Sequence, residues 1–492
     1  MKKLFLFFLL GITGFVSAQS SMPTVTVVTD GPIVNTPAVH GTITVDDHNT
    51  VIVMHAGFKI RGTSSQQYEK KSYRVELWAD ATGSEMIDTT FLGMRSDDDW
   101  NLEAMWTQPL RLRDKVANEL WMEMYQLPYQ ANEPNALPGI RMEYVDLYVN
   151  EDYVGVYALT ERMDRKQLRL KKYDGKIKGL LVKGNGAGAP TFEELPDYDN
   201  TVNTWSNYEW VYPNESDALI DWSSLYNLTK FVMISQDVAF FSQYSTMFDV
   251  QNLVDYYLFI NVLKAMDNMG RNIFLARYKS SSAFFYVPWD LDAIWGLDAE
   301  GNHTHQTGGL MSNGLFDRLL TDCSSAGFPS LAKERYNALR GTIFTTDYIM
   351  ELVREQYEEL LADGAYDREH EAWPEFTVDE SQLDYMSDWL DARFAYLDAE
   401  INAPCGTWES EEMAEAQGME VFPNPANDRV NIRFADTGES IIQIYDMTGR
   451  QVFSTSTDAQ ALAIPTQGWR SGIYLVLVQQ QGNQFTERIV IQ

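Results

Sequence analysis

Cysteine is almost absent. Cys323 and Cys405 are the only two in 492 residues. That excludes a disulfide-built scaffold and permits a single bridge in an oxidising compartment. Positive charge is also scarce, with 38 Lys and Arg against 70 Asp and Glu and a net charge of −32. A chain so acidic lacks the basic footprint that nucleic acid requires, so no nucleic-acid partner is expected. The six histidines are scattered, and no His-Glu-x-x-His, Gly-x-Ser-x-Gly or Walker loop occurs. His303 and His305 share a polar loop without neighbouring ligands and read as solvated. After the first residues, no apolar run approaches the roughly 18 residues of a membrane helix, so the mature chain should carry no membrane span.

What is present is ordinary for a globular protein: 45% hydrophobic, 22% charged and 13% aromatic residues. The length predicts two or three domains, each large enough to bury a core. Lys2 and Lys3 precede an apolar run, Leu4 to Val16, too short to span a bilayer comfortably. Small residues at Val16-Ser17-Ala18 then offer cleavage before Gln19. Residues 1–18 therefore read as a secretory signal, the alternative being an uncleaved anchor.

From Val25 to Leu77 short β-rich runs alternate with turns. Phe58-Lys59-Ile60 leads into the polar loop Arg61-Gly62-Thr63-Ser64-Ser65, and Tyr73, Val75 and Leu77 alternate as on a half-buried strand. Leu112, Val116, Leu120 and Met124 share a face, predicting a helix over 110–125. Tyr144–Val149 and Val154–Leu159 form a hairpin around Asn150-Glu151-Asp152. From Ser223 the chain is mainly helical. An acidic stretch at 406–418 without apolar periodicity reads as a linker, and the alternating runs after it predict a small β-sandwich over 419–492.

The chemistry concentrates between Val250 and Trp295. An apolar helix face (Leu253, Val254, Tyr257, Leu258, Val262) leads to the loop Asp267-Asn268-Met269-Gly270-Arg271-Asn272. A hairpin across Ser280-Ser281-Ser282 follows, ending in Pro288-Trp289-Asp290-Leu291-Asp292. Protein kinases order their parts this way. A loop Asp orients the acceptor hydroxyl, an Asn five residues on binds metal, and an Asp after a hairpin holds the metal on the phosphates. Carboxylate and amide oxygens suit Mg²⁺. Asp and Asn are also common turn residues, so the pattern alone leaves a plain loop open. A run of basic residues from Arg162 to Lys183 stands out in so acidic a chain, either as an anion-attracting face or as a solvated one.

Two resemblances sharpen this reading. Arg61-Gly62-Thr63-Ser64-Ser65, Lys70-Lys71-Ser72-Tyr73, Leu112-Arg113-Asp114, Val149-Asn150, Gly155-Val156-Tyr157 and Glu161 stand in order with Asp267, Asn272 and Asp290-Leu291-Asp292. In this the chain resembles the spore-coat protein H (CotH) family of kinase-like proteins over 23–405. The resemblance implies an atypical protein-kinase-like domain, α+β overall, that uses ATP with Mg²⁺ or Mn²⁺. It assigns the catalytic Asp to Asp267 and metal ligands to Asn272, Asp290 and Asp292. It assigns nucleotide contacts to Arg61, Lys70 or Lys71, and Glu161, the last with cation holding as its alternative. The usual His-Arg-Asp, Asp-Phe-Gly and Ala-Pro-Glu are missing, and Gly184, Gly186 and Gly188 read as a flexible loop, not a phosphate cover.

The end of the chain, through Phe422-Pro423-Asn424-Pro425-Ala426, the Asp446–Arg450 turn and Gly472-Ile473-Tyr474, resembles the type A sorting domain of the type IX secretion system. That implies an immunoglobulin-like sandwich, handling by the type IX machinery, export through the periplasm and across the outer membrane, removal of the tail, and a secreted or cell-surface location. The leading functional expectation is transfer of the ATP γ-phosphate to hydroxyls of an unidentified protein substrate. The alternatives are another ATP-dependent transferase, such as an AMP transferase, or a non-catalytic surface-assembly or adhesion protein.

Overall fold

The computed structural model describes residues 20–185, 191–214 and 220–408. Toward the C-terminus it describes 419–422, 426, 429–434, 440–446, 450–457, 459, 461–470, 472–480 and 483–491. The expected signal at 1–18, Gly186 and Gly188, and most of the linker lie outside these residues. The chain divides into two compact units, Met1–Ser410 and Glu411–Gln492.

In the first unit, period-two patterning closes a barrel. Its strands are β1 (Thr24–Thr29), β2 (Val39–Asp46), β3 (Val51–Ile60) and β4 (Tyr73–Trp78). A two-residue pair, β5 (Thr89–Thr90) and β6 (Ser96–Asp97), precedes β7 (Asp99–Glu103), β8 (Met142–Val149) and β9 (Asp152–Thr160). The order is β1-β2-β3-β4-β7-β9-β8, and β8 returns parallel to β1. Alternate residues fill the interior: Val25 and Val27, Ile43 and Val45, Val75 and Leu77, Val145 and Leu147, Tyr157 and Leu159. The short strands were legible in the sequence; closure was not, because it depends on the non-local β1–β8 pairing.

A second sheet, ordered β11-β12-β10-β13-β14, comprises β10 (Leu180–Asn185), β11 (Thr204–Trp205), β12 (Tyr208–Tyr212), β13 (Arg271–Arg277) and β14 (Phe284–Pro288). The predicted helix at 110–125 is α1 (Arg113–Met124), starting later than expected because Arg111 is left-handed, with φ 61°. Among the described residues eight further helices follow: α2 (Ser223–Ile234), α3 (Asp237–Met247), α4 (Val250–Leu263), α5 (Gly314–Leu319), α6 (Phe328–Arg340), α7 (Thr346–Ala362), α8 (Ala365–Ala372) and α9 (Ser381–Asn402). Helix α4 is buried from Asn252 to Leu263 on every face, so it is the central post of this part. The Asp249 side chain caps it, accepting from Asn252 N at 2.7 Å. Cys323 and Cys405 form a disulfide across 82 residues of sequence. Among the described residues no helix is long and apolar enough to cross a membrane. Helices and strands are mixed throughout this unit, an α+β arrangement.

The second unit holds a three-stranded sheet of β15 (Met419–Phe422), β16 (Arg429–Phe434) and β19 (Ala461–Pro465). A four-stranded sheet of β17 (Ser440–Asp446), β18 (Gln451–Thr457), β20 (Gly472–Gln480) and β21 (Asn483–Ile491) accompanies it. Val430, Ile432 and Ile464 of the first share one core with Ile442, Ile444, Val476 and Val478 of the second. The strand runs read from sequence lie in these strands; Pro423 to Pro425 and residues 447–449 of the expected motifs lie outside the described residues.

Candidate functional site

Two turns build the site. Helix α4 stops where Lys264 turns left-handed, with φ 51°, and its N–H bonds back to Ile260 and Asn261. A single tight turn, Met266–Met269, then carries Asp267 and Asn268 straight into β13. Asn272 stands near the start of β13 and Asp290 just past the end of β14, and Trp289 N donates to Asn272 O at 3.0 Å. The hairpin register therefore sets Asn272 beside the Trp289–Asp290 step. Both residues are left-handed, with φ 52° at Asn272 and 58° at Asp290. Asn and Asp tolerate that backbone best among residues with side chains, and non-glycine residues held there cluster at functional sites. Asn268 braces the pair: its buried side-chain amide donates to Asn272 O at 2.7 Å and to Trp289 O at 3.0 Å. Gly184 permits the close packing of β10 here, since a Cβ would lie 2.6 Å from Gly270 O.

A cavity of about 410 Å³ gathers most of the sequence-expected residues: Arg61, Lys70, Asp267, Asn272, Asp290 and Asp292 all line it. It also brings in Asp114, Lys183 and Arg271. Asp290 is exposed to it. Asp114, from the first turn of α1, accepts from Leu291 N at 3.1 Å and from the Asn118 amide at 3.0 Å. Burial, reinforced by the Asp290 charge, pushes the Asp114 carboxyl up to about 7. Asp292 is pushed well above the carboxylate range by burial, then by Asp290 and Asp114. Asp267 is raised by burial, with Arg271 opposing and Asp290 and Glu300 adding. Facing these acids, burial lowers Arg61 and Lys183, and the attraction of Asp290 opposes the change in both. The donors around Asp290 are oxygens, from carboxylates and the Asn272 amide, a set that suits a hard divalent cation.

Two expected nucleotide contacts fall elsewhere. Lys71 does not line the cavity; its amine bonds the carbonyls of Gln66 and Tyr68 and so holds the 61–72 loop. Glu161 is buried and lines neither this cavity nor the larger one described next. It accepts from Arg95 N at 2.8 Å, Arg141 N at 3.0 Å, the Arg141 guanidinium and the Gln167 amide at 2.8 Å. It holds a cation, the second of its sequence alternatives. Lys70 remains, but its amine is spent on Glu369 Oε1 and Val156 O, each at 2.6 Å.

A larger neighbouring cavity of about 940 Å³ shares Arg61, Lys183, Glu209 and Trp289 with the first. Of the basic run, Arg162, Arg165, Lys166, Lys172 and Lys183 converge on it, beside Met163, Trp210 and Phe274. Others pair elsewhere, Lys171 with Glu133 and Lys178 with Asp174. Lys166 bonds Asp88 at 2.8 Å and Asp97 at 2.7 Å, and also Asp98. Those three carboxylates have oxygens within 4.8 Å of one another, and the lysine supplies the positive charge that such a cluster needs. Sequence reasoning passed over Asp114 as a site residue although it lies in a quoted motif. It passed over Asn268 because a turn amide carries no signal of what its hydrogen bonds hold.

The family model described as CotH kinase protein matches residues 58–397. The secretion system C-terminal sorting domain matches residues 420–492. The chain is 23% identical over 344 residues to inner spore coat protein H of Bacillus subtilis, covering 67% of this chain and 86% of that protein. It is 27% identical over 79 residues to an endo-acting ulvan lyase of Formosa agariphila, covering 16% of this chain and 15% of that enzyme. Among solved structures, PorZ, a surface component of the type IX secretion system of Porphyromonas gingivalis, matches 17% of this chain and 13% of its own at 25% identity, with a TM-score of 0.15. With the family model spanning well over half of its length, this chain belongs to the CotH kinase protein family, and its C-terminal sorting domain directs it through the type IX system to secretion or the cell surface.

Proposed function

We propose that residues 23–405 form a kinase-like domain that transfers the γ-phosphate of ATP to hydroxyl groups of a protein substrate. The observation that carries this reading is the pairing of Asn272 and Asp290, both left-handed, at the open end of one hairpin, with Asp267 lining the same cavity. Asp290, Asn272 and Asp292 would hold Mg²⁺ or Mn²⁺. Held by these residues, a divalent ion would supply charge neutralisation for the phosphates. Arg61 and Lys183 line both cavities and would receive the phosphates. Phe274, Trp289 and Met163 would take the base in the larger one. Asp267 would orient the acceptor hydroxyl and accept its proton. In this reading Lys71 and Glu161 are structural. The barrel and the helical part then act as two lobes around the nucleotide. The tail, proposed as an immunoglobulin-like sandwich over 419–492, serves export alone; its two antiparallel sheets around one core support that form.

The test is intact mass after incubating mature protein with ATP and Mg²⁺ or Mn²⁺, with and without candidate proteins. Gain of phosphate is expected. Gain of AMP would replace phosphotransfer by nucleotidyl transfer, and ATP binding without any transfer would overturn the catalytic reading.

A further inference from the structure

A smaller cavity of about 220 Å³ opens beside Asp267 and is not needed for nucleotide. Asp267 and Ala299 line both it and the 410 Å³ cavity, so the two meet at the proposed base. It is smaller than the roughly 300–1,000 Å³ of pockets that enclose a drug-sized ligand, and fits one side chain better than a free molecule. Its walls come from three segments: Met266 before the base, Leu297 in the loop after Asp292, and Trp389 on α9.

The pocket is preformed. Gly296 has φ 82°, and a Cβ there would lie 2.4 Å from Tyr385 Oη and 2.6 Å from Trp389 Cδ1. Gly296 O accepts from Tyr385 Oη and from Thr304 N, each at 2.8 Å. His303 stacks on Tyr385 at 3.6 Å and bonds the Gln382 amide oxygen at 2.8 Å. These contacts bolt the 296–305 loop to α9. Of the two acids that line the pocket, Asp267 is the proposed base and Asp298 is spent on its own loop, accepting from Glu300 N, Asn302 N and the Asn302 amide. Glu300 is exposed, and its charge acts on Asp267.

We infer that this pocket seats an apolar side chain adjacent to the acceptor hydroxyl in the substrate polypeptide, and so selects the acceptor; the inference rests on the phosphotransfer reading. Phosphate enters from the Arg61 and Lys183 side, so the hydroxyl must approach Asp267 from elsewhere, and this cavity is the opening there. The acceptor O–H proton passes to Asp267, the oxygen bonds the γ-phosphorus, and the bond from that phosphorus to the bridging oxygen breaks, its electron pair leaving on ADP. An acidic neighbour would meet the carboxylates of Asp267 and Asp298 on a mainly apolar wall, where the Lys264 amine donates to Gly308 O, and is disfavoured.

The experiment uses synthetic Ser peptides with Leu, Gly or Asp beside the Ser, the mature protein, and the variants Thr304→Trp and Gln306→Trp, at two residues that also line the pocket. The Leu peptide should show at least about tenfold higher kcat/KM than the Asp peptide, on the scale expected for one buried side chain. Either tryptophan should raise its KM with little change in kcat, while the ATP-dependent thermal shift stays at the parental value. Calorimetry with the Ala-for-Ser peptide reads the pocket without chemistry: Leu-flanked peptide should bind the parent and not the tryptophan variants. Equal use of all three peptides, or unaltered KM and peptide binding in both variants, overturns the pocket assignment. Peptide binding without transfer overturns phosphotransfer instead and leaves the pocket standing.

Discussion

The Lys70 amine lies 2.6 Å from the Glu369 carboxylate, although 299 residues separate them in sequence. Both side chains are buried, at 0% and 1% exposure. The same carboxylate accepts from the Arg111 guanidinium at 3.0 Å and from Val156 N at 2.7 Å. Burial alone would push the Glu369 carboxyl up; Lys70 and Arg111 outweigh it and hold it below its ordinary value. One residue of α8 thus joins the barrel strand β9, the loop before β4 and the segment leading into α1.

The first prediction follows from that geometry. Glu369→Ala leaves two buried cations without their partner, and breaking a buried pair from one side costs about 3–5 kcal/mol. Glu369→Gln keeps part of the hydrogen bonding and should cost less. Urea titration of both variants measures this; a loss near zero for Glu369→Ala would show that the cations find other partners.

A second prediction separates binding from turnover. Asp290→Ala should abolish the metal-dependent thermal shift caused by ATP, since a ligand that binds only the native state stabilises it by mass action. Asn272→Ala should weaken the shift without removing it. Asp267→Asn should leave the shift near its parental size and lower turnover by about 10²-fold or more, the scale of a lost general base. Equal loss of binding in Asp267→Asn and Asp290→Ala would merge the two proposed roles.

Much of this was legible in the chain. Alternation gave β1 to β4, the period of Leu112, Val116, Leu120 and Met124 gave α1, and the hairpin between Arg271 and Pro288 brought Asn272 to Asp290. These are local signals, set by neighbours in sequence. What remained hidden was non-local. The β1–β8 closure, the Lys70–Glu369 pair and the convergence of Arg162 to Lys183 on one cavity depend on residues that only folding brings together. The sequence left Lys70 or Lys71, and two roles for Glu161, open; the Arg141 partner of Glu161 is likewise set by the fold, whereas Lys71 bonds the carbonyls of Gln66 and Tyr68 close by in sequence. Sequence shows that the Glu161 charge is present, but its partner Arg141 belongs to the tertiary structure.

A third prediction concerns pH. Asp267 is raised above the ordinary carboxylate value by burial, while Arg271 pulls it down and Glu300 pushes it up. A base works deprotonated, so turnover should fall as pH drops through this group's titration. Arg271→Ala removes a lowering influence and should move the acid limb of kcat to higher pH. Glu300→Gln should move it to lower pH. The pH profiles of both variants, at saturating ATP and acceptor, check the signs; shifts in one common direction would remove Asp267 from the role of base.

Processing supplies a fourth. The segment just after the expected cleavage point is tied down: the Ser20 hydroxyl lies within hydrogen-bond distance of Asp363 Oδ2, at 2.9 Å, and Asp146 Oδ2, at 3.0 Å, and its one hydrogen serves either. Cleavage before Gln19 would leave that anchor intact, and removal of the sorting tail would leave residues 23–405 whole. Terminal sequencing of the secreted form should begin near Gln19 and end before Val421. A secreted form retaining both ends would overturn the two processing assignments.

The last prediction tests Asn268 as a positioning residue. Its amide spans the carbonyls of Asn272 and Trp289, at 2.7 and 3.0 Å. Those carbonyls belong to Asn272 itself and to the residue just before Asp290, the two left-handed positions of the site. Left-handed backbone at residues with side chains costs about 1–3 kcal/mol each and persists where the surroundings enforce it. Asn268→Ala removes the brace and leaves two acceptors short of a donor, costing about 1–3 kcal/mol for a buried group. Some of that loss is stability, which any buried Asn would show. The informative readout is the metal concentration needed for half of the ATP-dependent thermal shift. If the brace sets the spacing of Asn272 and Asp290, that midpoint should rise several-fold in Asn268→Ala and fall back partly in Asn268→Gln, whose longer amide still carries two donors. Saturating metal should then restore most of the shift. A lower melting temperature with the metal midpoint unchanged would make Asn268 a packing residue, and the left-handed pair would hold its geometry through the hairpin alone.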